Sequence, residues 1–395
     1  MLGLAMATGA LGIDAMLPAF DDIRADLGLA PDSTSVGAII TSYFVGLAVG
    51  QLVYGPVADR FGRRRTIHVS LAVYAGGALA SALAPTLTVL VLTRFVWGLG
   101  GAGPRVVAMA VVRDRFEGDR MSQVMSSLMA VFILIPIAAP SLGAGVVAVA
   151  SWQVLFVVCM LFALAVLAWT LRLPETLRPE HRMELSTRRI AAATKAVASN
   201  RQSLGHLVAV TFLMGVFVAY LSGFESVIAQ AFDQASAFPL IFGGLAAVMG
   251  ATMLANRRLV VRYGAGKVTG TTLGIYPVLA VPFVAVVVAT GGRPPLAVFL
   301  VGMAVMLGCH AVLLPNLNSL ALEPMAGIAG TAASVIGSAQ TAGGAILGSI
   351  LMATFDGTAR PLVWGFLIFA VLAAMTAWLT DRRQPAIAPV ASTQS

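Results

Sequence analysis

Charged residues are scarce in this chain of 395 residues. They make up 11% of it, against about 25% in an ordinary soluble domain. Apolar residues make up 58%, which exceeds the about 45–50% typical of soluble domains. Because one water-soluble core cannot bury so much apolar surface, the composition excludes an ordinary soluble protein and predicts an integral membrane protein.

Cysteine and histidine are also rare, with two and four residues. Cys159 and Cys309 both fall inside apolar runs, which gives no basis for a disulfide framework. The sequence contains no metal-ligand cluster, no nucleophilic triad and no phosphate-binding loop. We therefore expect neither a metal nor a cofactor, and we do not expect an enzyme.

Twelve apolar runs of roughly 20 residues follow one another along the chain, which is the length that a membrane-spanning helix needs. The runs are continuous rather than alternating, and this pattern favours helices over a β-barrel. The first run, Leu2 to Phe20, lacks a basic flank and a cleavage site, so we interpret it as the first span rather than a signal peptide. Its abrupt beginning favours a natural start upstream of Met1.

The 25 Lys and Arg residues fall mainly on one side of these runs. Only Arg24, Arg293 and Arg360 fall on the other side, and Arg94 and Arg105 lie within spans. The positive-inside rule therefore places both termini in the cytoplasm. It also explains the net charge of +8 without a nucleic-acid partner.

A polar, basic stretch at 173–205 divides the runs into six and six. DRFG at 59–62 is repeated as VRYG at 261–264, in the same place within each half. The predicted fold is an all-α membrane protein with twelve helices in two pseudo-symmetric bundles. The predicted boundaries are residues 1–172 for the first bundle, 173–205 for a cytoplasmic linker, 206–381 for the second bundle and 382–395 for a cytoplasmic tail.

The segment GPVADRFGRRR at 55–65 resembles the loop between the second and third helices of the major facilitator superfamily. In that family the loop braces the two halves and stabilises the outward-open state. The resemblance implies a conformational gating role for Gly55, Asp59, Arg60, Gly62, Arg63 and Arg64.

The segment LTRFVWGLGGAG at 92–103 is similar to the fourth-helix motif of the same family. The resemblance implies that Arg94 takes part in proton coupling; the alternative is a snorkelling residue near the helix end. Arg105 lies about three turns further along the same helix. We interpret it as a cavity residue for substrate or proton coupling, or as part of an internal ion pair.

The segment IPIAAPSLGAG at 135–145 resembles the fifth-helix motif of drug antiporters. Pro140 and Gly143 would form its kink, whereas Ala139 and Ala144 replace two of the usual glycines. A plain packing kink is the alternative interpretation.

Five further segments are similar to the Bcr/CflA drug-resistance branch: IDAMLPAF (13–20), RVVAMAVVRD (105–114), LPETL (173–177), PNLNSLALEP (315–324) and AGTAASVIG (329–337). The resemblance implies a monomeric exporter in the bacterial cytoplasmic membrane, surrounded by lipid. It exchanges a small lipophilic or cationic drug for protons, and the proton gradient drives the exchange.

Asp14 and Glu225 are the two carboxylates that we place well inside spans, in the first helix of each half. Burial disfavours a charged carboxylate and a nearby cation favours it, so such a group can exchange a proton against a cationic substrate. Asp14 could instead be a structural partner of Arg94 or Arg105, and Glu225 could lie at the solvated outer mouth. His310 is a weaker candidate for proton handling, since a packing role is also open.

Two competing functions remain. A transporter of a sugar or another metabolite could use the same fold and the same coupling residues. A membrane enzyme or receptor would need a catalytic constellation or an attached soluble domain, and the sequence contains neither.

Overall fold

The computed structural model describes residues 1–30, 33–116, 118–178, 180, 182 and 186–381. Within these ranges all regular structure is helical. The α-helices are α1 (Leu2–Asp14), α2 (Phe20–Asp26), α3 (Ala38–Phe61), α4 (Arg63–Ala82), α5 (Leu87–Arg115), α6 (Gly118–Val147), α7 (Trp152–Thr170), α8 (Thr187–Ser199), α9 (Arg201–Phe232), α10 (Phe238–Tyr263), α11 (Ala265–Ala289), α12 (Leu296–Leu322), α13 (Ala329–Met352) and α14 (Arg360–Asp381).

Nine stretches within the described ranges are long and apolar enough to cross a membrane. One of them, Leu296–Met352, contains both α12 and α13. Two long helices fall outside this set: α4, which begins with three arginines, and α6, whose apolar part is Leu134–Val147. The architecture is therefore that of a multi-pass helical membrane protein, and the number of twelve crossings stays a prediction.

The predicted linker contains a helix of its own, α8, and α9 begins before the predicted boundary at 206. Asn200 explains this earlier start because its side-chain oxygen accepts a hydrogen bond from the backbone N–H of Ser203 at 3.0 Å, which caps the helix. Residues 179, 181 and 183–185 of the predicted linker lie outside the described residues. So does the predicted tail, 382–395.

Glycines allow the helices to approach closely. In α3, a Cβ atom at Gly46 would collide with the backbone of Phe95 and Leu99 in α5. In α5, a Cβ atom at Gly98 would collide with the backbone of Tyr43 in α3. Such small-residue contacts are typical of helix packing in membranes, and they make α5 the centre of the first group of helices.

We call α1–α7 the N-terminal half of the chain and α9–α14 the C-terminal half. Helix α3 runs along α13, where the hydroxyls of Thr41 and Ser349 are 2.7 Å apart. Helix α6 packs on α10, where a Cβ atom at Gly243 would lie 2.9 Å from the carbonyl oxygen of Ile137. We call the end of the molecule with the α3–α4 turn and its arginines the basic end. The end with α2 is the opposite end.

Candidate functional site

Asp14 lies at a break in the first predicted span. Helix α1 ends at Asp14 rather than at Phe20, and a 3₁₀ turn over Leu17–Ala19 leads into α2. Pro18 explains the break, because proline has no N–H to donate to the carbonyl oxygen four residues earlier. The Asp14 side chain is buried. Its carboxyl group forms no hydrogen bond or ion pair with any residue in the part of the chain that the structure describes.

Two tyrosine hydroxyls lie within electrostatic range of the Asp14 carboxyl group, those of Tyr43 in α3 and Tyr220 in α9. Because Tyr220 belongs to the C-terminal half, Asp14 lies at the junction of the two halves. Tyr220 stacks on Phe242 of α10 with ring centroids 5.5 Å apart. A buried carboxyl group without a described partner can hold a proton or accept a cation.

Arg94 is fully buried inside an aromatic cage formed by Tyr43, Trp97 and Phe156. Its guanidinium carbon lies 4.5 Å from the ring centroids of Tyr43 and Trp97 and 5.8 Å from that of Phe156. Within the described residues, none of its three guanidinium nitrogens has a hydrogen-bond partner. Cation–π contacts contribute about 2 kcal/mol or more each when desolvated. Ring faces therefore hold Arg94, which neither snorkels nor pairs with Asp14.

The aromatic cage and its neighbour Tyr74 also hold α1. The Tyr43 hydroxyl donates a hydrogen bond to the carbonyl oxygen of Gly9 at 3.0 Å. The Tyr74 hydroxyl donates to the carbonyl oxygen of Thr8 at 2.7 Å. The residues around the buried arginine thus position the helix that carries the unpartnered carboxyl group at its end.

Arg105 lies in the same helix as Arg94, three turns closer to the basic end. Its side chain is exposed, although Ala102, Ala108 and Val112 on the same face of α5 are buried. A charged side chain within a membrane-spanning helix usually faces the protein interior or a partner rather than lipid. The predicted cavity role of Arg105 stays a prediction.

The two predicted kink residues of α6 lie close to α1. Pro140 is buried, and α6 continues as one helix through Pro136 and Pro140. A Cβ atom at Gly143 would collide with the carbonyl oxygen of Ala15, the residue that follows Asp14. Gly143 therefore lets α6 approach the backbone beside the carboxyl group. The antiporter character of this segment stays a prediction.

Glu225 of α9 is bound by Arg24 of α2. Arg24 Nη2 lies 3.2 Å from Glu225 Oε2 and 2.8 Å from Ser226 Oγ. Arg24 Nη1 lies 2.5 Å from Asp21 Oδ1, and Arg24 Nε donates to the carbonyl oxygen of Ser33 at 3.2 Å. Only 3% of Arg24 and 5% of Glu225 are exposed.

This ion pair joins the two halves of the chain at the opposite end. The sequence placed Arg24 among the residues on the outer side, without a partner; the structure buries it between α2 and α9, because Glu225 and Ser226 supply acceptors there. Removing one partner of such a buried pair costs about 3–5 kcal/mol, since the other charge stays buried without compensation.

At the basic end, Arg63 connects the helices around the α3–α4 turn. Its Nη1 atom lies 2.5 Å from Asp59 Oδ1, and its Nε atom lies 3.0 Å from Asp114 Oδ2 at the end of α5. Thr176 also donates to Asp114 Oδ2, at 2.9 Å. Arg60 is exposed. We call the α3–α4 turn with these partners the basic corner.

Glu175, which follows α7, completes the basic corner. Its carboxylate accepts hydrogen bonds from the backbone N–H groups of Arg63 at 2.9 Å and Arg64 at 3.2 Å, so it caps the N-terminus of α4. Burial raises the pKa of the Glu175 carboxyl, but these donors and those of Thr176 and Leu177 lower it further, so that it lies below its usual value.

Gly62 makes this cap possible. Its φ of +99° is a conformation that side chains rarely adopt, and a Cβ atom there would collide with the Glu175 carboxylate. Arg64 also donates to the carbonyl oxygen of Leu171 at 2.9 Å. Glycine is therefore required at position 62 for two separate reasons.

The partners of Asp59, Arg63 and Arg64 among the described residues all lie in the N-terminal half or directly after α7. Contact with the other half is made by Gly55, where a Cβ atom would lie 3.0 Å from Ser334 Oγ in α13. The expected bracing of the two halves by this loop stays a prediction.

His310 is fully used in packing. Its Nε2 atom lies 2.9 Å from the carbonyl oxygen of Leu213, and its Nδ1 atom lies 2.7 Å from the Tyr276 hydroxyl. Because a carbonyl oxygen only accepts, Nε2 carries the proton and Nδ1 accepts from Tyr276. The ring thereby connects α9, α11 and α12. This arrangement favours the packing interpretation of His310 over proton handling.

Among the cluster residues to which the sequence gives no role are Arg24 and Glu175. Glu175 stands in the LPETL segment, which was used for the resemblance but given no role of its own. Arg24 follows Asp21 at a spacing of three, which is the spacing of helical ion pairs. That spacing was a usable sign that the segment is a helix rather than a loop.

The chain matches the model of the Major Facilitator Superfamily over residues 2–349. It therefore belongs to this superfamily of membrane transporters.

Curated relatives confirm the resemblance to the drug-resistance branch. The chain is 30% identical to the bicyclomycin resistance protein homolog of Haemophilus influenzae over 387 residues, which cover 97% of this chain and 95% of the relative. It is 28% identical to the multidrug resistance protein MdtL of Escherichia coli K12, with 85% of this chain and 83% of the relative covered.

Solved structures show the same fold at low sequence identity. A D-xylose-proton symporter matches with a TM-score of 0.76 and 16% identity, covering 95% of both chains. The human organic anion transporter MFSD10 matches with a TM-score of 0.70 and 20% identity, covering 96% of this chain and 98% of the other.

Proposed function

We propose that this protein exports small lipophilic or cationic drugs across the bacterial cytoplasmic membrane in exchange for protons. The basic end faces the cytoplasm, as do both termini. Residues 1–172 and 206–381 form two bundles that rock about a central site, connected by the linker 173–205. The observation that carries this proposal is the buried Asp14 carboxyl group, which lies at the junction of the two halves without a described partner.

Asp14 is the exchange site in this proposal. A proton and a cationic drug both neutralise a carboxylate, so the two compete for the same group. A drug that enters from the cytoplasm displaces the proton inward, and a proton from outside later displaces the drug. Arg105 lies in the cavity on the cytoplasmic approach, where it repels cations from its own position and orients polar groups of the substrate.

The aromatic cage keeps Arg94 in place during this cycle. Tyr43 contacts Arg94 and donates a hydrogen bond to α1. A change of charge at Asp14 that shifts α1 therefore also shifts Tyr43 and, through it, Arg94. This path gives Arg94 a role in proton coupling without a direct ion pair.

The driving force depends on the charge of the drug. Exchange of one proton for one uncharged drug moves a net charge inward, which gains about 2.3 kcal/mol per 100 mV of membrane potential. Exchange of one proton for a monovalent cation moves no net charge. The pH difference alone then drives export, at about tenfold accumulation per pH unit.

Two clusters act at the two ends, one as a gate and the other as a brace within the N-terminal bundle. The Arg24–Glu225 pair holds α2 on α9 at the outer end, and it must separate before the drug can leave. The basic corner fixes α3, α4, α5 and α7 relative to one another, so that the N-terminal bundle moves as one body at the cytoplasmic end.

The names of the relatives support drugs as the substrate class, since one is a bicyclomycin resistance protein homolog and another a multidrug resistance protein. The likeness to a D-xylose-proton symporter concerns the fold alone, and it keeps a metabolite transporter as the alternative outcome of the test below.

The direct test uses everted membrane vesicles with an imposed pH gradient. Bicyclomycin, ethidium or D-xylose is added to the medium outside the vesicles. We expect ethidium or bicyclomycin to dissipate the gradient and accumulate in the vesicles. Asp14→Asn vesicles should do neither, whereas the matched control Asp22→Asn, an exposed carboxylate eight residues away, should behave like the wild type. A response to D-xylose without a response to either drug would establish the metabolite alternative instead.

A further inference from the structure

A groove of about 500 Å³ separates α3 from the start of α8. One wall consists of apolar α3 residues and the other of the first residues of α8. The lining residues are Leu52, Val53, Pro56, Val57, Ser186, Thr187, Arg188 and Ile190.

The wall formed by α8 is amphipathic and basic. Ala193 and Val197 are buried on one face, Arg188 and Lys195 are exposed on the opposite face, and Arg189 is exposed at the margin of the buried face. The helix contains no acidic residue. Arg188 lines the groove and forms no ion pair or hydrogen bond with any residue of the described ranges. Within the described residues, Arg188 is therefore an unpaired cation at the edge of an apolar groove.

The depth of the groove matches the upper part of a lipid acyl chain. Val53 and Pro56 precede the end of α3 at Phe61 by eight and five residues, which corresponds to about 12 Å and 8 Å along the helix axis. The apolar surface continues away from Arg188, because Val49 and Val53 are exposed one helical turn apart. The cation thus lies at headgroup depth and the apolar track lies at acyl-chain depth.

We propose that this groove binds an anionic phospholipid of the cytoplasmic leaflet, with its phosphate on Arg188 and one acyl chain along Val53 and Val49. The positive charge of Arg188 complements the negative charge of the lipid phosphate, and basic pockets on the cytoplasmic side of membrane helices bind anionic headgroups. Helix α8 lies between the two halves of the chain, so the lipid would hold the linker against α3. The inference rests on the proposed orientation but not on drug exchange, and a protein that exports no drug would still bind the lipid.

The test measures lipid bound to the full chain in detergent by native mass spectrometry, with phosphatidylglycerol and phosphatidylcholine of equal acyl chains. We expect one retained phosphatidylglycerol and little phosphatidylcholine. Arg188→Gln should weaken phosphatidylglycerol binding about fivefold, the loss expected for one basic residue at a membrane surface. Val53→Trp, which fills the acyl track without changing charge, should weaken it as well.

Lys195→Gln is the matched control, because Lys195 is equally exposed on α8 but does not line the groove; it should leave binding unchanged. Equal losses for Arg188→Gln and Lys195→Gln would overturn the site in favour of diffuse attraction to the basic helix. Unchanged phosphatidylglycerol binding in Arg188→Gln, or displacement of the lipid by ethidium, would also overturn it.

Discussion

Asp14 and Glu225 are both buried carboxylates in the first long helix of their half, yet their surroundings differ. Arg24 and Ser226 bind Glu225, whereas Asp14 has no partner among the described residues. A carboxylate bound by a buried arginine joins the two helices that carry the pair. An unpartnered carboxyl group is available for exchange. In the proposed exchange, this difference favours Asp14 for the chemistry and Glu225 for the closing of one end.

The largest effect is expected for Asp14→Asn. The amide has nearly the same shape but neither binds a proton nor carries a charge, so proton-coupled drug transport should fall to the level of vesicles without the protein. Because the wild-type side chain has no described partner to lose, the folded protein should keep its thermal stability within about 1 kcal/mol.

Vesicle transport and thermal unfolding of the purified protein measure the two parts of this prediction. Drug-driven proton movement retained in Asp14→Asn would remove this residue from the mechanism. A large loss of stability would instead indicate a structural role.

The second largest effect is expected at the ion pair. Arg24→Glu places a third carboxylate beside Asp21 and Glu225 and should reduce transport at least tenfold, because the outer end can no longer close. Glu225→Arg should do the same by bringing two cations together. The exchange of both residues, Arg24→Glu with Glu225→Arg, restores opposite charges and should recover much of the transport.

Transport rates of the three variants, compared at equal membrane levels, measure this coupling. A double variant no better than either single variant would show that the pair does more than hold two helices together. Full activity in both single variants would show that the pair is not a gate.

The two α–α corners of the internal repeat form a second contrast. Gly62 and Gly264 have nearly the same backbone, with φ of 99° and 81°. Asp59, Arg63, Asp114 and Glu175 surround the first corner, whereas a Cβ atom at Gly264 would meet nothing within 4 Å. The turn is thus present in both halves, and within the described residues a carboxylate meets its glycine only at the first corner.

Gly62→Ala and Gly264→Ala sharpen this contrast. Both place a side chain at a strongly disfavoured φ and ψ, which costs about 1–3 kcal/mol. Gly62→Ala should destabilise the protein more, because its Cβ atom also displaces the Glu175 carboxylate. Thermal unfolding of the two purified variants measures the difference. Equal losses of stability would show that displacing the Glu175 carboxylate adds nothing to the cost of the disfavoured backbone conformation.

The smallest effect is expected for Glu175 and depends on pH. Because the folded state lowers the pKa of this carboxyl, its contribution to stability is present above the pKa of the unfolded chain and is lost as pH falls through the folded value. Glu175→Gln should therefore unfold at a lower temperature than the wild type at neutral pH. The gap should narrow as the buffer is acidified below the usual range of glutamate.

Unfolding temperatures of both proteins across an acidic series measure this dependence. Glu180→Gln, an exposed glutamate beyond the basic corner, is the control and should follow the wild type at every pH. A gap between Glu175→Gln and the wild type that does not change with pH would contradict the ionic cap.

Much of the fold was predictable because long apolar runs leave few alternatives in a membrane, and the sequence motifs identify the family. The position of Asp14 inside the first apolar run was predictable because a carboxylate there is conspicuous, and its role stays a prediction. The partner of Glu225 could not be predicted, since Arg24 lies 201 residues away in sequence and stands between two apolar runs rather than within one. The aromatic cage was hidden for another reason: Tyr43, Trp97 and Phe156 are ordinary apolar residues until three helices bring them around Arg94.

Proton release on drug binding tests the central claim most directly. Ethidium is added to the purified protein in a weakly buffered detergent solution, where both ends are accessible, and the change in pH is recorded. The account predicts proton release from the wild type and from Glu225→Gln, and none from Asp14→Asn. Release that persists in Asp14→Asn and disappears in Glu225→Gln would contradict it.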